Sequence, residues 1–353
     1  MLDSHRGRIF AGLVALCAVA AVAYLLVASR APQLAPAATK PAHVATRAAT
    51  LAGTTVEARR FLAANGITHG SIVFRDLDRH DTSNWGRVAT APLASAGNRR
   101  LVGSLRCERV YVQSGRGLCL AKGGGFGTLY NAEVLDAHFN VLHRIAIGGI
   151  PSRARISGDG RYGATTTFVA GHSYSTPGKF STQTLLIDMK SGKTITDLER
   201  FKVTIDGKLV DKPDVNFWGV TFWRTDSNRF YATLATGGKT YLIEGNIAQR
   251  TARALHTNVE CPSISPDGTR IAYKKLVELA PGTPRIWHLH VLDLRTMKDT
   301  ALAEPGAIDD QAEWLGNHVV VYGSGEEIKA VRADGTGQPV ELVAAADSPA
   351  VVN

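Results

Sequence analysis

The stretch that decides the fold runs from Cys261 to Lys275 and reads CPSISPDGTRIAYKK. An alternating segment comes first, a Pro-Asp-Gly turn follows, and a second alternating segment completes it. Alternation with a period of two is typical of a half-buried strand, and Asp-Gly between two such segments favours a tight hairpin. We therefore predict two antiparallel strands joined by a short turn.

The same hairpin pattern recurs along the chain. Similar segments begin at Cys107, Arg153 and Val220, and a looser copy begins at Ala312. A period of about 40 to 50 residues is typical of a propeller blade built from four short strands. The equivalent turn positions, with steps of 46, 67, 41 and 49 residues, are Gln113, Asp159, Asp226, Asp267 and Gly316.

A second repeat predicts the number of blades. Six apolar strands each end in an acidic residue that is followed by a turn and another strand, which indicates six blades. Carboxylates in this position usually accept backbone N–H bonds within the turn, so we interpret them as structural and not catalytic. They are Asp78, Asp136, Asp188, Glu244, Asp293 and Asp334.

The two ends of the repeat region predict how the ring closes. The first unit begins at Ser71 without a preceding hairpin strand, whereas Ser348–Asn353 reads SPAVVN and resembles the opening of a unit. We expect this C-terminal segment to supply the innermost strand of blade one, which removes an open sheet edge. The sequence thus predicts an all-β, six-bladed β-propeller of four-stranded blades over residues 61–353.

These motifs resemble the TolB-like family of six-bladed propellers. Ser265–Tyr273 (SPDGTRIAY) matches well, Ser157–Arg161 (SGDGR) matches fairly, and the likeness covers about residues 67–353. The motif is specific for architecture and carries little information on function. The resemblance implies an extracytoplasmic protein-interaction module, although similar blades also serve as substrate-gating domains of serine peptidases.

The N-terminus predicts a membrane anchor. Ile9–Val27 reads IFAGLVALCAVAAVAYLLV, 19 residues without a charge, which is long enough for a transmembrane helix. The alternative is a signal peptide cleaved after the small residues 28–29, which would leave the protein secreted, although signal peptides usually have apolar runs of about 7 to 15 residues. Two arginines precede the run and one follows it, so residues 1–8 are predicted to be cytoplasmic and the propeller extracytoplasmic.

Residues 28–60 are rich in alanine and proline and are predicted to form a linker. The net charge of +9 is concentrated in this N-terminal part, because residues 1–60 contain seven Lys or Arg against two Asp or Glu. Basic residues beside a membrane span orient it and contact anionic lipid head groups. The charge therefore predicts a membrane surface, and not a nucleic acid, as a neighbour of the protein.

The cysteines predict one disulfide bond. Superposing the hairpin units places Cys107 directly opposite Cys119, and a separation of 12 residues outside the cytoplasm favours a bridge. Two buried thiols are the alternative. Cys261 then remains as an unpaired core residue.

Catalytic motifs are scarce. The sequence contains no G-x-S-x-G, H-E-x-x-H, Walker or C-x-x-C pattern, so it assigns no catalytic residue, metal or cofactor and leaves enzymatic activity open. The long connections, near residues 170–181, 200–216 and 276–285, are predicted to share one face of the ring, where binding usually resides. The candidate binding residues on them are His172, Tyr174, Phe180, Lys212, Asp214 and Trp218.

An alternative for Trp218 is that it begins an inner strand and packs between blades.

Two functions remain open at this stage. The first is a monomeric, membrane-anchored, non-catalytic module that binds a protein partner or an envelope ligand through the long loops. The alternative is a propeller-type hydrolase, a lactonase or a glycan-acting enzyme, with a site in the central channel.

Overall fold

The structure is a computed structural model that describes residues 56–124, 130–169, 181–277 and 285–352. Within these ranges the strands form six sheets, of which five have four strands and one has six. The predicted all-β, six-bladed propeller is therefore confirmed. The predicted anchor, residues 9–27, lies outside the described ranges, and within them no helix is long and apolar enough to cross a membrane.

The strands alternate with short turns along the whole described chain, and one helix, α1 (residues 56–64), precedes them. Two short 3-10 turns span Leu93–Ser95 and Leu198–Arg200. In chain order the strands are β1 Ser71–Asp76, β2 Arg87–Pro92, β3 Arg100–Arg106, β4 Arg109–Gln113, β5 Arg116–Lys122, β6 Tyr130–Leu135, β7 Val141–Ile147, β8 Ile150–Ile156, β9 Tyr162–Phe168, β10 Thr182–Asp188, β11 Lys193–Asp197, β12 Lys202–Ile205, β13 Lys208–Leu209, β14 Asn216–Phe222, β15 Arg229–Thr236, β16 Lys239–Asn246, β17 Thr251–Thr257, β18 Glu260–Ile264, β19 Arg270–Val277, β20 Ile286–Asp293, β21 Asp299–Ala301, β22 Glu313–Leu315, β23 Val319–Ser324, β24 Glu327–Arg332, β25 Val340–Ala344 and β26 Ala346–Val352.

Each blade is an antiparallel meander that starts at the central channel. Blade one is β26-β1-β2-β3, blade two β4 to β7, blade three β8 to β11, blade five β18 to β21 and blade six β22 to β25, while blade four contains β14 to β17. The first strands β26, β4, β8, β14, β18 and β22 contact one another in this order and line the channel. We call the edge of the ring that carries the first-to-second-strand hairpins the hairpin face, and the opposite edge the long-loop face.

The Ser-x-Asp-Gly turns hold the hairpins by the same hydrogen bonds in two blades. In blade five, Ser265 Oγ donates to Asp267 Oδ1 at 2.5 Å, and the same oxygen accepts the Thr269 N–H at 3.0 Å. Gly268 completes the turn at φ +72°, a left-handed conformation that favours glycine. Blade three repeats these contacts over residues 157–161. The predicted repeat therefore corresponds to a repeated turn chemistry.

The acidic residues of the second repeat also have the predicted structural role, with one exception. Five of them accept a backbone N–H from the residue two positions later: Asp78, Asp136, Asp188, Asp293 and Asp334. Glu244 differs, because it lies within β16 and not at its end, where it forms ion pairs with Arg229 and Arg253.

The C-terminal strand closes the ring as predicted. β26 pairs with β1 in antiparallel register, with Val352 opposite Ser71. Ser348 ties this strand to blade two as well, since its hydroxyl accepts the Val110 N–H at 3.0 Å and donates to the Val110 carbonyl at 3.1 Å. Blade one therefore contains both the first strand of the described chain, β1, and the last, β26.

Blade four departs from the predicted four strands. The segment 200–216, expected to be a long loop, contains the hairpin β12-β13, and β12 pairs in parallel with β17 at the outer edge of the blade. The segment forms a strand because Phe201 and Val203 are buried against the blade while Lys202 between them faces solvent. Leu209 in β13 remains 63% exposed.

Helix α1 covers the seam between blades one and six. Ala58 and Leu62, one turn apart on the same face, are buried in a cluster with Phe74 of blade one and Val321 of blade six. The other apolar clusters likewise lie between or within neighbouring blades, so the core is a ring around the channel.

Candidate functional site

The middle of the channel is filled by a cluster of polar side chains. Arg155 of blade three reaches across to blade six, where its Nη2 donates to the Ala312 carbonyl at 2.7 Å and lies 3.4 Å from Glu313 Oε2. Its Cζ stacks 4.5 Å from the centre of the Tyr111 ring, and burial raises the pKa of the Tyr111 hydroxyl, which therefore stays neutral. The Arg155 and Glu313 side chains are more than nine-tenths buried, so the channel is closed at this level.

A second group of charges lies nearer the long-loop face. Lys274 is fully buried and donates to the carboxylate of Asp309, whose side chain is half exposed, and Arg153 Nη2 lies 3.5 Å from the same carboxylate. Burial alone would raise the pKa of Asp309, but the charges of Lys274 and Arg153 hold it below its usual value. Glu260 is buried beside Lys274, and this burial raises the pKa of its carboxyl group.

A third group connects blades one and two at the same end of the channel. Arg75 Nη2 lies 2.6 Å from Asp347, and its Nη1 lies 3.0 Å from Glu108. Arg109 approaches Asp347 at 3.4 Å. Among the described residues of the channel, the carboxylates of Asp309, Glu313 and Asp347 thus each pair with a cation, and nowhere in the described ranges do three His, Cys, Asp or Glu side chains form a group that could hold a metal ion.

A cavity of about 450 Å³ opens on the hairpin face, below the Arg155 cluster. We call it the hairpin-face pocket. Its walls come from blades one, two, four and six, which are far apart in the sequence. Its principal lining residues are Val73, Thr90, Val112, Gln113, Arg116, Asp136, Phe139, Arg224, Glu313, Trp314, Val351 and Val352.

Two arginines of the pocket flank the blade-three hairpin. A Cβ atom at Gly158 would lie 2.9 Å from the Arg224 carbonyl oxygen, so this glycine allows the close approach of Arg224. A Cβ atom at Gly160 would lie 3.4 Å from Arg116 Cγ, an ordinary contact distance. Within the described parts of the chain neither guanidinium group has a hydrogen bond or an ion pair. Two cations therefore face the pocket with their donors available.

The acidic side chains of the pocket are already engaged. Asp136 accepts the side-chain amide of Asn140 at 2.9 Å and the backbone N–H groups of Asn140 and His138, both at 2.8 Å, and these bonds lower the pKa of its carboxyl group. Glu313 pairs with Arg155. The pocket thus combines two available cations with an apolar wall, a composition that is suited to binding an anionic group attached to apolar matter.

Two of the residues predicted for the long-loop face lie close together beside a second cavity. Lys212 and Asp214 are exposed and follow β13, along a groove of about 570 Å³ at the outer edge of blade four. Asp214 accepts the Thr236 hydroxyl at 2.7 Å and the Gly237 N–H at 2.6 Å, so its carboxylate holds the β15-β16 turn. His172, Tyr174 and Phe180 lie outside the described residues.

The prediction that Trp218 belongs to an exposed loop was wrong. Trp218 is the third residue of β14 and is 2% exposed, in a cluster with Cys261 and Trp287 of blade five. Its ring packs between blades because it follows the alternation of an innermost strand, which was the alternative interpretation of the sequence. It contributes no surface to a binding site.

Cys107 and Cys119 form a disulfide bond, with their Cα atoms 5.4 Å apart. The predicted register was wrong, since Cys119 lies opposite Val110 and Cys107 precedes β4. The β4-β5 turn has only two residues between its paired ends, so it does not superpose on the longer Ser-x-Asp-Gly turns. Cys261 is unpaired and fully buried in the core, as predicted.

Sequence reasoning missed the hairpin-face pocket. Arg116 and Arg224 stand next to turns that were interpreted only as tight connections. The one signal available was that both lie at the edge of hairpins that lack the Asp-Gly pair of blades three and five. Their convergence depends on the order of the blades around the ring, which no local pattern specifies.

Six blades, a ring closed by the C-terminal strand and a channel filled with paired charges define this chain as a six-bladed β-propeller. No protein family model and no curated protein sequence matches it. Among solved structures the chain is similar to TolB from Acinetobacter baumannii, with a TM-score of 0.55, 16% identity, and coverage of 86% of this chain and 72% of that one. It is also similar, with a TM-score of 0.41, to hydrazine synthase of Kuenenia stuttgartiensis, at 16% identity over 70% of this chain and 68% of that one.

At these identities the likeness establishes the fold alone. The TolB-like, six-bladed architecture expected from the hairpin repeat is thereby confirmed. A closed ring that carries loops and a pocket at its edge is suited to a binding module.

Proposed function

We propose that this chain is a non-catalytic binding module, a propeller tethered to the membrane on its extracytoplasmic side, which binds a protein partner on its hairpin face. The observation that carries the proposal is the hairpin-face pocket, in which Arg116 and Arg224 have no described partner. Arginine beside apolar and aromatic side chains is the composition that contributes most to binding energy at protein interfaces.

The membrane tether rests on the sequence. The uncharged run Ile9–Val27, flanked by arginines, supports a single span, and the composition of residues 28–60 supports a linker between the span and the propeller. A disulfide between Cys107 and Cys119 fits an oxidising compartment outside the cytoplasm.

The proposed binding surface lies on the hairpin face, whereas loop length favours the long-loop face. On the long-loop face, Asp214 is used by a turn and Trp218 is buried. On the hairpin face, by contrast, tight turns from different blades converge around one cavity. A concave site with available cations supports binding better than loop length alone.

The alternative of a hydrolase with a site in the central channel receives no comparable support. A hydrolytic carboxylate must be available to a water or a substrate. Among the channel carboxylates of the described residues, Glu313 is buried against Arg155, and Asp309 and Asp347 each contact two cations. Glu260 is only 1% exposed and lies beside Lys274.

Affinity capture from native membranes tests the proposal. The full chain carries its tag at the N-terminus, because Val351 and Val352 of the C-terminal strand line the pocket. Wild type is compared with the double variant R116E/R224E and with R295E, since Arg295 is an exposed residue of the β20-β21 turn on the same face, outside the pocket.

We expect a stoichiometric protein partner with wild type and R295E, and its loss with R116E/R224E. Circular dichroism and thermal unfolding establish that the double variant is folded. If the double variant still captures the partner, the binding surface does not include Arg116 and Arg224 and lies elsewhere on the protein. Recovery of no partner by wild type would contradict the proposed function itself.

A further inference from the structure

The geometry points to a chemical class of ligand for the hairpin-face pocket: an acidic peptide segment, whose carboxylate pairs with Arg116 and Arg224 while a neighbouring apolar side chain contacts Phe139 and Val352. This inference rests on the proposed function and specifies what the partner presents to the pocket. It concerns the residues that line the cavity of about 450 Å³.

The available arginine donors of the pocket favour an anion. Arg116 and Arg224 have no hydrogen bond or ion pair with any described residue, whereas Glu313 is paired with Arg155 and the ionised Asp136 accepts hydrogen bonds from residues 138 and 140. A guanidinium group presents two parallel N–H donors, which match the two oxygens of a carboxylate. An incoming carboxylate therefore gains two cations without displacing an existing pair.

The blade-three hairpin lies between the two arginines. The Arg116 side chain lies beside Gly160, and the Arg224 backbone packs closely against Gly158. Ser114 strengthens this arrangement, because its hydroxyl donates to the Gly158 carbonyl at 2.5 Å. The Arg116 stem and the Arg224 backbone are thus placed before a ligand arrives, which lowers the entropy lost on binding.

The rest of the lining favours a peptide over a sugar or a free phosphate. Val352 is 38% exposed and Phe139 is partly exposed, so both offer apolar surface at the pocket. Trp314 is only 1% exposed and its ring is covered by Arg270 at 5.2 Å, so it provides no open face for stacking on a sugar ring. Apolar surface beside cations is complementary to a segment that contains both carboxylates and apolar side chains.

The closed channel limits how far the ligand enters. Arg155, Glu313 and Tyr111 occupy the channel directly above the pocket, and the cavity that they line has a volume of about 20 Å³. A ligand therefore binds at the mouth and does not thread through the ring. This depth fits a few residues of a larger protein.

Isothermal titration calorimetry on the purified full chain in detergent tests the inference. The probe is a short synthetic peptide in which glutamate alternates with leucine and phenylalanine, and its matched control carries glutamine at each glutamate. We expect the acidic peptide to bind, and the glutamine peptide to bind at least about tenfold more weakly. Equal affinity for the two peptides, or no heat with the acidic one, would overturn the inference.

Variants then locate the binding site. R116Q and R224Q should each weaken acidic-peptide binding by about tenfold, R116K and R224K should have a smaller effect, and R295Q should have none. Unchanged binding by both glutamine variants would overturn the inference. Inorganic phosphate, titrated alone, should bind far more weakly than the peptide, and phosphate binding of equal strength would overturn the assignment to a peptide.

The calorimetry and the membrane capture experiment test separate claims. If capture depends on the two arginines but the glutamine peptide binds as well as the acidic one, the binding module stands and its acidic specificity is wrong. If capture fails, the proposed function is wrong whatever the calorimetry gives.

Discussion

Gly158 lets the hairpins of blades three and four touch at the hairpin face. A Cβ atom there would lie 2.9 Å from the Arg224 carbonyl oxygen, a backbone atom that a side-chain rotation cannot move away. We expect Gly158→Ala to lower the free energy of unfolding by about 1 to 3 kcal/mol, measured by denaturant titration. Gly148→Ala is the matched control, since its Cβ would meet only Gln183 Oε1 at 3.7 Å, and equal midpoints for the two variants would refute the close contact.

Glu199 makes stability depend on pH. Burial, and then the neighbouring Asp197, raise the pKa of Glu199 from 4.5 to about 10. Between these two pKa values the folded protein holds a proton on Glu199 that the unfolded chain has released. The contribution of Glu199 to the free energy of unfolding is therefore complete below the unfolded pKa, and it is lost as the pH rises toward the folded pKa. The loss reaches at most about 1.4 kcal/mol per pH unit.

We expect Glu199→Gln to flatten the dependence of the melting temperature on pH between about pH 6 and 9, because the amide has no proton to lose. Asp206→Asn, which changes an exposed turn carboxylate, serves as the control and should leave the slope as it is in wild type. A slope that persists unchanged in Glu199→Gln would show that the carboxyl group titrates normally.

At the scale of an element, the disulfide ties the start of β4 to its hairpin partner β5. Cys107 and Cys119 close a loop with a sequence separation of 12, and both are buried. We expect C107A/C119A to lower the free energy of unfolding by about 3 kcal/mol. A reducing agent present during the denaturant titration should lower the stability of wild type by a similar amount and leave the double variant unchanged, and a wild type that is insensitive to reductant would contradict the bridge.

The hairpins could be predicted from the sequence, whereas the elements and sites made by distant segments could not. The Ser-x-Asp-Gly turns are local, because Asp267 and Ser265 bond to residues within five positions of themselves. Asp206-Gly207 marks the hairpin of β12 with β13, but β12 pairs with β17 some fifty residues later, and no local pattern specifies that pairing. The hairpin-face pocket is built from four blades, so the positions of Arg116 and Arg224 relative to each other follow only from the assembled ring.

At the scale of the whole molecule, β26 makes the ring a closed unit. Its removal leaves the inner edge of β1 unpaired, breaks the contacts of Ser348 with blade two and removes Val351 and Val352 from the pocket. We expect deletion of residues 348–353 to destabilise the propeller by more than about 4 kcal/mol, an amount beyond that of most single substitutions. Deletion of Asn353 alone is the control. If the protein lacking residues 348–353 has the same melting temperature as this control, closure of the ring by β26 is refuted.

Site-specific photo-crosslinking in native membranes tests the central claim, that the partner binds at the hairpin-face pocket, most directly. A photoreactive phenylalanine derivative replaces Ala137, an exposed residue at the pocket, or Lys212 on the long-loop face. We predict a partner adduct at position 137 that disappears when R116E/R224E is introduced, and none at position 212. An adduct at position 212 without one at position 137 would contradict binding at the hairpin-face pocket and would indicate that the partner binds on the long-loop face.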